Sequence, residues 1–176
     1  MKFLSDIRLL MLGLWLGAAC FFIVVAQSSF AVLPAREMAG AHVGRTLMVL
    51  NYSGLGIALI LLLTSLIAGK SASRFWIWTE RFLLLLLAAA CAAGQFVFAL
   101  WLSIIRAQLG RPIDEVAADD PLRIQFNSLH EYSVWVLLAG MAAGLLAFFI
   151  ISNRNFGAVV KTTTSDPYDF QKEFKV

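Results

Sequence analysis

The chain has 176 residues, 60% of them hydrophobic and 14% charged, with a mean hydropathy of +0.81 and a formal net charge of +3. A soluble domain is about 45–50% apolar and about 25% charged, so this composition excludes a water-soluble globule and a disordered chain alike. It specifies an integral membrane protein whose first partner is the lipid bilayer. The cationic excess reports topology and anionic lipid; no basic face interleaved with aromatics points to nucleic acid.

Four windows carry no charged residue: 9–33, 46–69, 82–105 and 132–153. A hydrocarbon core of about 30 Å takes about 20 helical residues, so each window spans with some tilt. Runs such as Leu59–Leu63 and Leu83–Leu87 lack the alternation of a barrel strand. The expected fold is all-α, an antiparallel bundle of four transmembrane helices over residues 1–155. Residues 156–176, with a Thr-rich stretch and Asp166-Pro167, read as a flexible cytoplasmic tail.

The first window follows Lys2 and Arg8 and contains the small-x-small triplet Ser29-Phe30-Ala31. Its apolar run far exceeds the about 7–15 residues of a signal-peptide core, so it reads as a retained span. Pro34 suits a first helical turn, and the second helix is expected to run from there to Ala68. Asp120-Pro121 is a cap followed by an N1 proline, from which the fourth helix is expected to run to Asn153. Helices 2 and 4 therefore extend beyond the membrane on the non-cytoplasmic side, and the acidic stretch 114–120 becomes part of a helical cap.

Lys and Arg number nine on the side shared by both termini and the second connection, and five on the other. The positive-inside rule then puts both termini in the cytoplasm of a bacterial-type inner (plasma) membrane. Trp76 and Trp78 at one boundary, and Trp101 and Trp135 at the other, supply aromatic belts.

Small residues recur four apart at Gly13/Gly17, Gly40/Gly44 and Gly140/Gly144. Such pairs let helices approach closely in lipid; with four helices to pack, they are read as contacts within one bundle in preference to a homodimer seam. Within the windows the polar residues are sparse and uncharged. Gln27, Asn51 and Gln95 are read as interhelical hydrogen-bond donors, and the lack of intramembrane ionisable groups argues against an ion-coupled transporter.

His42 and His130 each lie just outside a span, on helices entering from the same side and at a similar level. Arg45 and Glu131 are expected beside them in one polar layer. The sharper interpretation is a haem b or transition-metal site held by both histidines; the plainer one is two interfacial imidazoles. Cys20 and Cys91 match in depth but form no CxxC or CxxCH motif. Small apolar core residues is the simpler reading of them than a Cu(I) site. No P-loop, GxSxG, HExxH or dinucleotide fingerprint is present.

The stretch LPAREMAGAHVGRTL (33–47), between two apolar helices, and Leu129-His130-Glu131-Tyr132-Ser133 at the fourth helix start carry a family resemblance. They resemble the four-helix membrane proteins of domain of unknown function 4149, the transmembrane-protein-205-like group. In that group an asparagine often follows His-x-x-Ser one turn on, whereas Val136 and Leu137 stand here. More distantly the chain is similar to copper-resistance-D-like membrane proteins, a group that includes a haem-binding protoporphyrinogen oxidase. The lack of ionisable intramembrane groups and of any catalytic motif points to a non-enzymatic accessory or structural component working with other membrane subunits; the distant likeness implies, as the alternative, a haem- or metal-binding redox protein using His42 and His130. A passive export or permeability factor is a weaker reading, since no polar stripe lines a path.

Overall fold

The structure, a computed structural model, describes the backbone of residues 2–67 and 74–163 and the side chains of 3–66 and 74–153. Helix α1 covers Lys2–Val32 and α2 covers Arg36–Ile67. The third span is α3 (Arg74–Ala93), a π-helical segment (Gly94–Phe98) and α4 (Ala99–Leu109), run together without a break. After a short 3-10 turn at Ile113–Glu115, α5 runs over Pro121–Thr163. Four helices are long and apolar enough to cross a membrane, and no strand occurs among the described residues.

The helices form an antiparallel bundle, packed in chain order around a ring: α1 on α2, α2 on α3, α3 on α5, and α5 back on α1. Helices α1 and α3 thus face one another across the bundle. Its core repeats at the three- and four-residue spacing of a packed helix seam. On α1 the buried residues are Leu12, Trp15, Ala19 and Phe22; on α3 they are Ile77, Leu84, Leu87 and Cys91. Small residues on the facing helices, Ala58, Ala143 and Ala147, are buried against them. The Trp15 indole donates to the Leu50 carbonyl at 3.0 Å, satisfying the one polar atom of a fully enclosed ring.

Trp76, Trp78, Trp101 and Trp135 are exposed near the two ends. Helix α2 begins at Arg36, two residues after the expected Pro34, because the stretch between α1 and α2 forms a bend. The Asp120 cap is in place, its carboxylate accepting from the Leu122 amide at 2.8 Å. The backbone of α5 stays helical to Thr163, past the boundary drawn at 155. Residues 164–176, the rest of the expected tail, lie outside the described residues, as do 68–73 of the second connection.

Arg8 and Glu80 fall just outside the charge-free windows 9–33 and 82–105. Both lie within membrane-capable helices, Phe3–Val32 and Arg74–Leu109, and both are buried. They pair with each other, so the bundle encloses two opposite charges that compensate one another. Ionisable groups are therefore present inside the bundle after all.

Candidate functional site

The end of the bundle bearing the α1–α2 and α4–α5 connections is capped by the 3-10 turn and the first turns of α5. Gly110, with φ of +61°, ends α4 in the left-handed conformation that glycine adopts freely, and its amide donates back to the Arg106 carbonyl. The chain then doubles back over the bundle. A satellite core of Ile105, Phe126 and Leu129 supports it, with Ile113 and Leu122 packed alongside.

Beneath this cap lies a cavity of about 600 Å³ to which all four spans contribute. Helix α1 supplies Phe30, and the start of α2 supplies Arg36, Glu37 and Gly40. The end of α4 and the turn after it supply Arg106, Arg111 and Asp114; α5 adds Arg123, Phe126 and His130. Four guanidinium groups thus stand against two carboxylates. Arg36 is matched with Asp114 at 3.5 Å, an exposed pair, and Arg123 donates to the Val116 carbonyl.

Arg106 is placed differently. Its guanidinium carbon lies 5.1 Å from the centre of the Phe126 ring, and that ring is stacked with the His130 imidazole at 6.4 Å and 5°. Phe126 and His130 are four residues apart on α5, the spacing that puts side chains on one face. A Cβ on Gly40 would lie 3.4 Å from Arg106 Nη2, an ordinary contact distance, so the glycine stands directly beside the guanidinium. Stacking on the ring consumes no N–H donor.

His130 belongs to this cavity; His42 does not. His42 follows Gly40 by two residues, about 200° around the helix, and is exposed away from the lining face. Arg45 and Glu131 are likewise exposed and line no part of it. The polar layer expected from His42, His130, Arg45 and Glu131 is built instead around His130 and the arginines. Those arginines are spread over 88 residues of sequence, from Arg36 to Arg123, and only the fold gathers them. Among the described residues no three of His, Cys, Asp and Glu come together at metal-binding distances. Cys20 is exposed and Cys91 buried, so the two thiols do not share an environment.

A second polar feature lies at mid-bundle. Asn51 is buried beside the π-helical segment, where a Cβ on Gly94 would lie 3.0 Å from Asn51 Nδ2. Its amide lines a pocket of about 20 Å³ with Cys91 and Ser133, and has no hydrogen-bond partner among the described residues. Gln27 and Gln95 also make no interhelical hydrogen bond there. The polar ties between helices come instead from Trp15, from Arg8 with Glu80, and from Arg81, which donates to the Ser65 hydroxyl and carbonyl at 3.0 Å each.

The glycine pairs divide between two environments. A Cβ on Gly140 would lie 3.0 Å from Ala90, and one on Gly144 would lie 3.4 Å from Leu16 and Trp15. These two act within the bundle. Gly13 approaches Phe148, but a Cβ on Gly17 would meet nothing within 4 Å; both line an outward groove of about 640 Å³ with Leu10, Leu14 and Phe21.

Comparison with protein families finds a match to the domain of unknown function DUF4149 over residues 10–111. The matched stretch runs from α1 through Arg111, and so includes residues 33–47 but not Leu129–Ser133. No curated protein and no solved structure matches the chain significantly.

Proposed function

This chain belongs to the DUF4149 family, and from that premise we propose that it is a non-enzymatic multi-pass membrane protein that works by binding at its capped end, as an accessory or structural component of a membrane complex. One observation carries the reading. In a bundle that otherwise encloses only the mutually compensated Arg8–Glu80 charge pair, the capped end holds a large cavity with four guanidinium groups in its lining. Intramembrane and interfacial charge is costly and is retained where it contacts something. The positive-inside count supports a bacterial-type inner membrane with both termini cytoplasmic, which would place the cavity on the non-cytoplasmic face. The likeness to the transmembrane-protein-205-like group, and the more distant one to copper-resistance-D-like proteins, are compatible with a small helical bundle and add no ligand.

A haem b or metal held by His42 and His130 draws no support from the geometry, because His130 lines the cavity and His42 faces away from it. Its test is an optical spectrum of the purified protein, and the expected result is no Soret band. An export or permeability role has no polar path behind it.

The binding reading is tested by a photo-crosslinking residue at Ile113, on the cavity, and at Leu145, on the exposed face of α5, in native membranes. The expected result is an adduct of discrete mass at 113 and none at 145. Equal, diffuse lipid labelling at both positions would overturn it.

A further inference from the structure

We infer that the capped-end cavity binds a phosphate group, borne on the head of an anionic lipid or free in solution, with the Arg106 guanidinium as its principal donor and Arg111 and Arg123 beside it. This rests on reading the capped end as the binding face and adds the chemical class of what binds there.

Charge comes first. With His130 neutral, the lining carries Arg36, Arg106, Arg111 and Arg123 against Glu37 and Asp114, an excess of two positive charges. Such a cavity attracts an anion and repels a cation. The commitments of the arginines then select the donors. Arg36 is compensated by Asp114, and Arg123 spends one N–H on the Val116 carbonyl. Arg106 and Arg111 have no hydrogen bond or ion pair among the described residues, and Arg106 nonetheless lies against the Phe126 ring, with Gly40 beside it. A positioned guanidinium with its N–H fork unspent is the arrangement that receives two oxygens of a phosphate at once.

Several cations around one space favour a group with several acceptor oxygens over a lone carboxylate. His130, stacked with the same ring, adds a neutral N–H donor. Glu37 is the opposing feature, an acid in the lining that an anion must avoid or that a head-group hydroxyl or amine would satisfy. Shape supports a lipid-borne phosphate. Phe30, Phe126 and Ile113 give the cavity apolar wall at the ends of lipid-facing helices, and about 600 Å³ exceeds what a bare phosphate needs. Basic pockets between transmembrane helices are known to take lipid phosphates.

The experiment uses the purified full chain in a neutral detergent. The thermal unfolding midpoint is followed while phosphatidylglycerol, phosphatidylcholine or inorganic phosphate is titrated, since a ligand specific to the folded state raises the midpoint in proportion to its affinity. Phosphatidylglycerol should give a saturable rise, weakened at least tenfold in apparent affinity by Arg106→Gln and unchanged by Arg45→Gln, which lies off the cavity. Gly40→Val places a side chain against the guanidinium and should weaken binding likewise, should Arg106→Gln fail to fold. A response to phosphatidylglycerol without one to inorganic phosphate assigns the site to a lipid head group; responses to both assign it to phosphate itself. Two results overturn the inference: no saturable response, or equal responses to phosphatidylglycerol and phosphatidylcholine that survive Arg106→Gln. If either occurs while the adduct at 113 persists, the binding face stands and its ligand is not a phosphate.

Discussion

Arg8 of α1 and Glu80 of α3 meet across the diagonal of the bundle, with both side chains sealed from solvent at 4% and 0% exposure. The Arg8 guanidinium also donates to the Leu61 carbonyl of α2 at 3.2 Å, so one side chain ties three helices together. Beside it, Arg81 holds Ser65 of α2. Helix packing in lipid receives no hydrophobic drive, so such polar ties and close van der Waals contact fix the arrangement. Here they are concentrated at the end of the bundle opposite the arginine-lined cavity.

A buried pair contributes little net stability over an apolar substitute, but breaking it leaves an uncompensated charge, at a cost of about 3–5 kcal/mol. Glu80→Gln and Arg8→Met alone should each lower the stability measured by detergent-induced unfolding by that order. The double variant Arg8→Met/Glu80→Leu should recover most of the loss. Single variants costing only the about 0–1 kcal/mol of a surface pair would show that the charges are not enclosed.

Much of this architecture is legible in residue spacing. The four apolar windows, the Asp120 cap and the glycine-ended α4 follow from span length and capping chemistry. Even the buried pair leaves a trace: Arg8 is four residues before Leu12 in the 12–15–19–22 seam, and Glu80 fills the step between Ile77 and Leu84. Cutting windows at charges hid it, because a window scan counts a charge without asking which face it occupies. The cavity was less accessible. The sequence marks His130 and points to His42, at the same level, as its partner, but depth along a helix does not fix azimuth. Arg106, Phe126 and Gly40 come together only once α2, α4 and α5 have packed, and nothing local in the chain announces a guanidinium lying on a ring.

Glycines separate the crowded seams from the open ones. A Cβ on Gly54 would lie 2.5 Å from Trp15 Nε1 and 2.7 Å from Cys91 Sγ, so α1, α2 and α3 converge on a bare backbone. Gly54→Ala should lower stability by about 1–3 kcal/mol through overpacking. Gly17→Ala, with nothing within 4 Å, should hold or slightly raise the unfolding midpoint of the purified protein. Equal unfolding midpoints for the two variants would refute the packing described for Gly54.

Asn51 offers a third test. Its amide makes no hydrogen bond among the described residues and faces the pocket of about 20 Å³, where a polar group without a partner costs up to roughly 1–3 kcal/mol. Leucine has the same branching, so Asn51→Leu should hold or raise the unfolding midpoint, whereas Asn51→Asp should lower it sharply by burying a charge. A marked loss with leucine would mean that the amide serves a partner that the bundle itself does not supply.

Orientation in the membrane is the final prediction. The side bearing Lys2, Arg8, Arg74 and Arg81 carries more cationic residues than the side bearing Arg36, Arg45, Arg106, Arg111 and Arg123, once the basic residues after α5 are included. That bias directs the termini to the cytoplasm, while acids such as Asp114 and Glu115 weigh little in the rule. The four arginines of the cavity make the contest closer than the spans alone suggest, since together with Arg45 they place five cations on the side that the rule sends outward. Single cysteines introduced into a Cys20→Ala/Cys91→Ala background decide it. In intact cells an impermeant thiol reagent should label Glu115→Cys, in the cap, and leave Thr163→Cys, at the end of α5, unlabelled until the cells are permeabilised. Labelling of Thr163→Cys alone in intact cells would invert the topology and move the phosphate-binding face to the cytoplasmic leaflet.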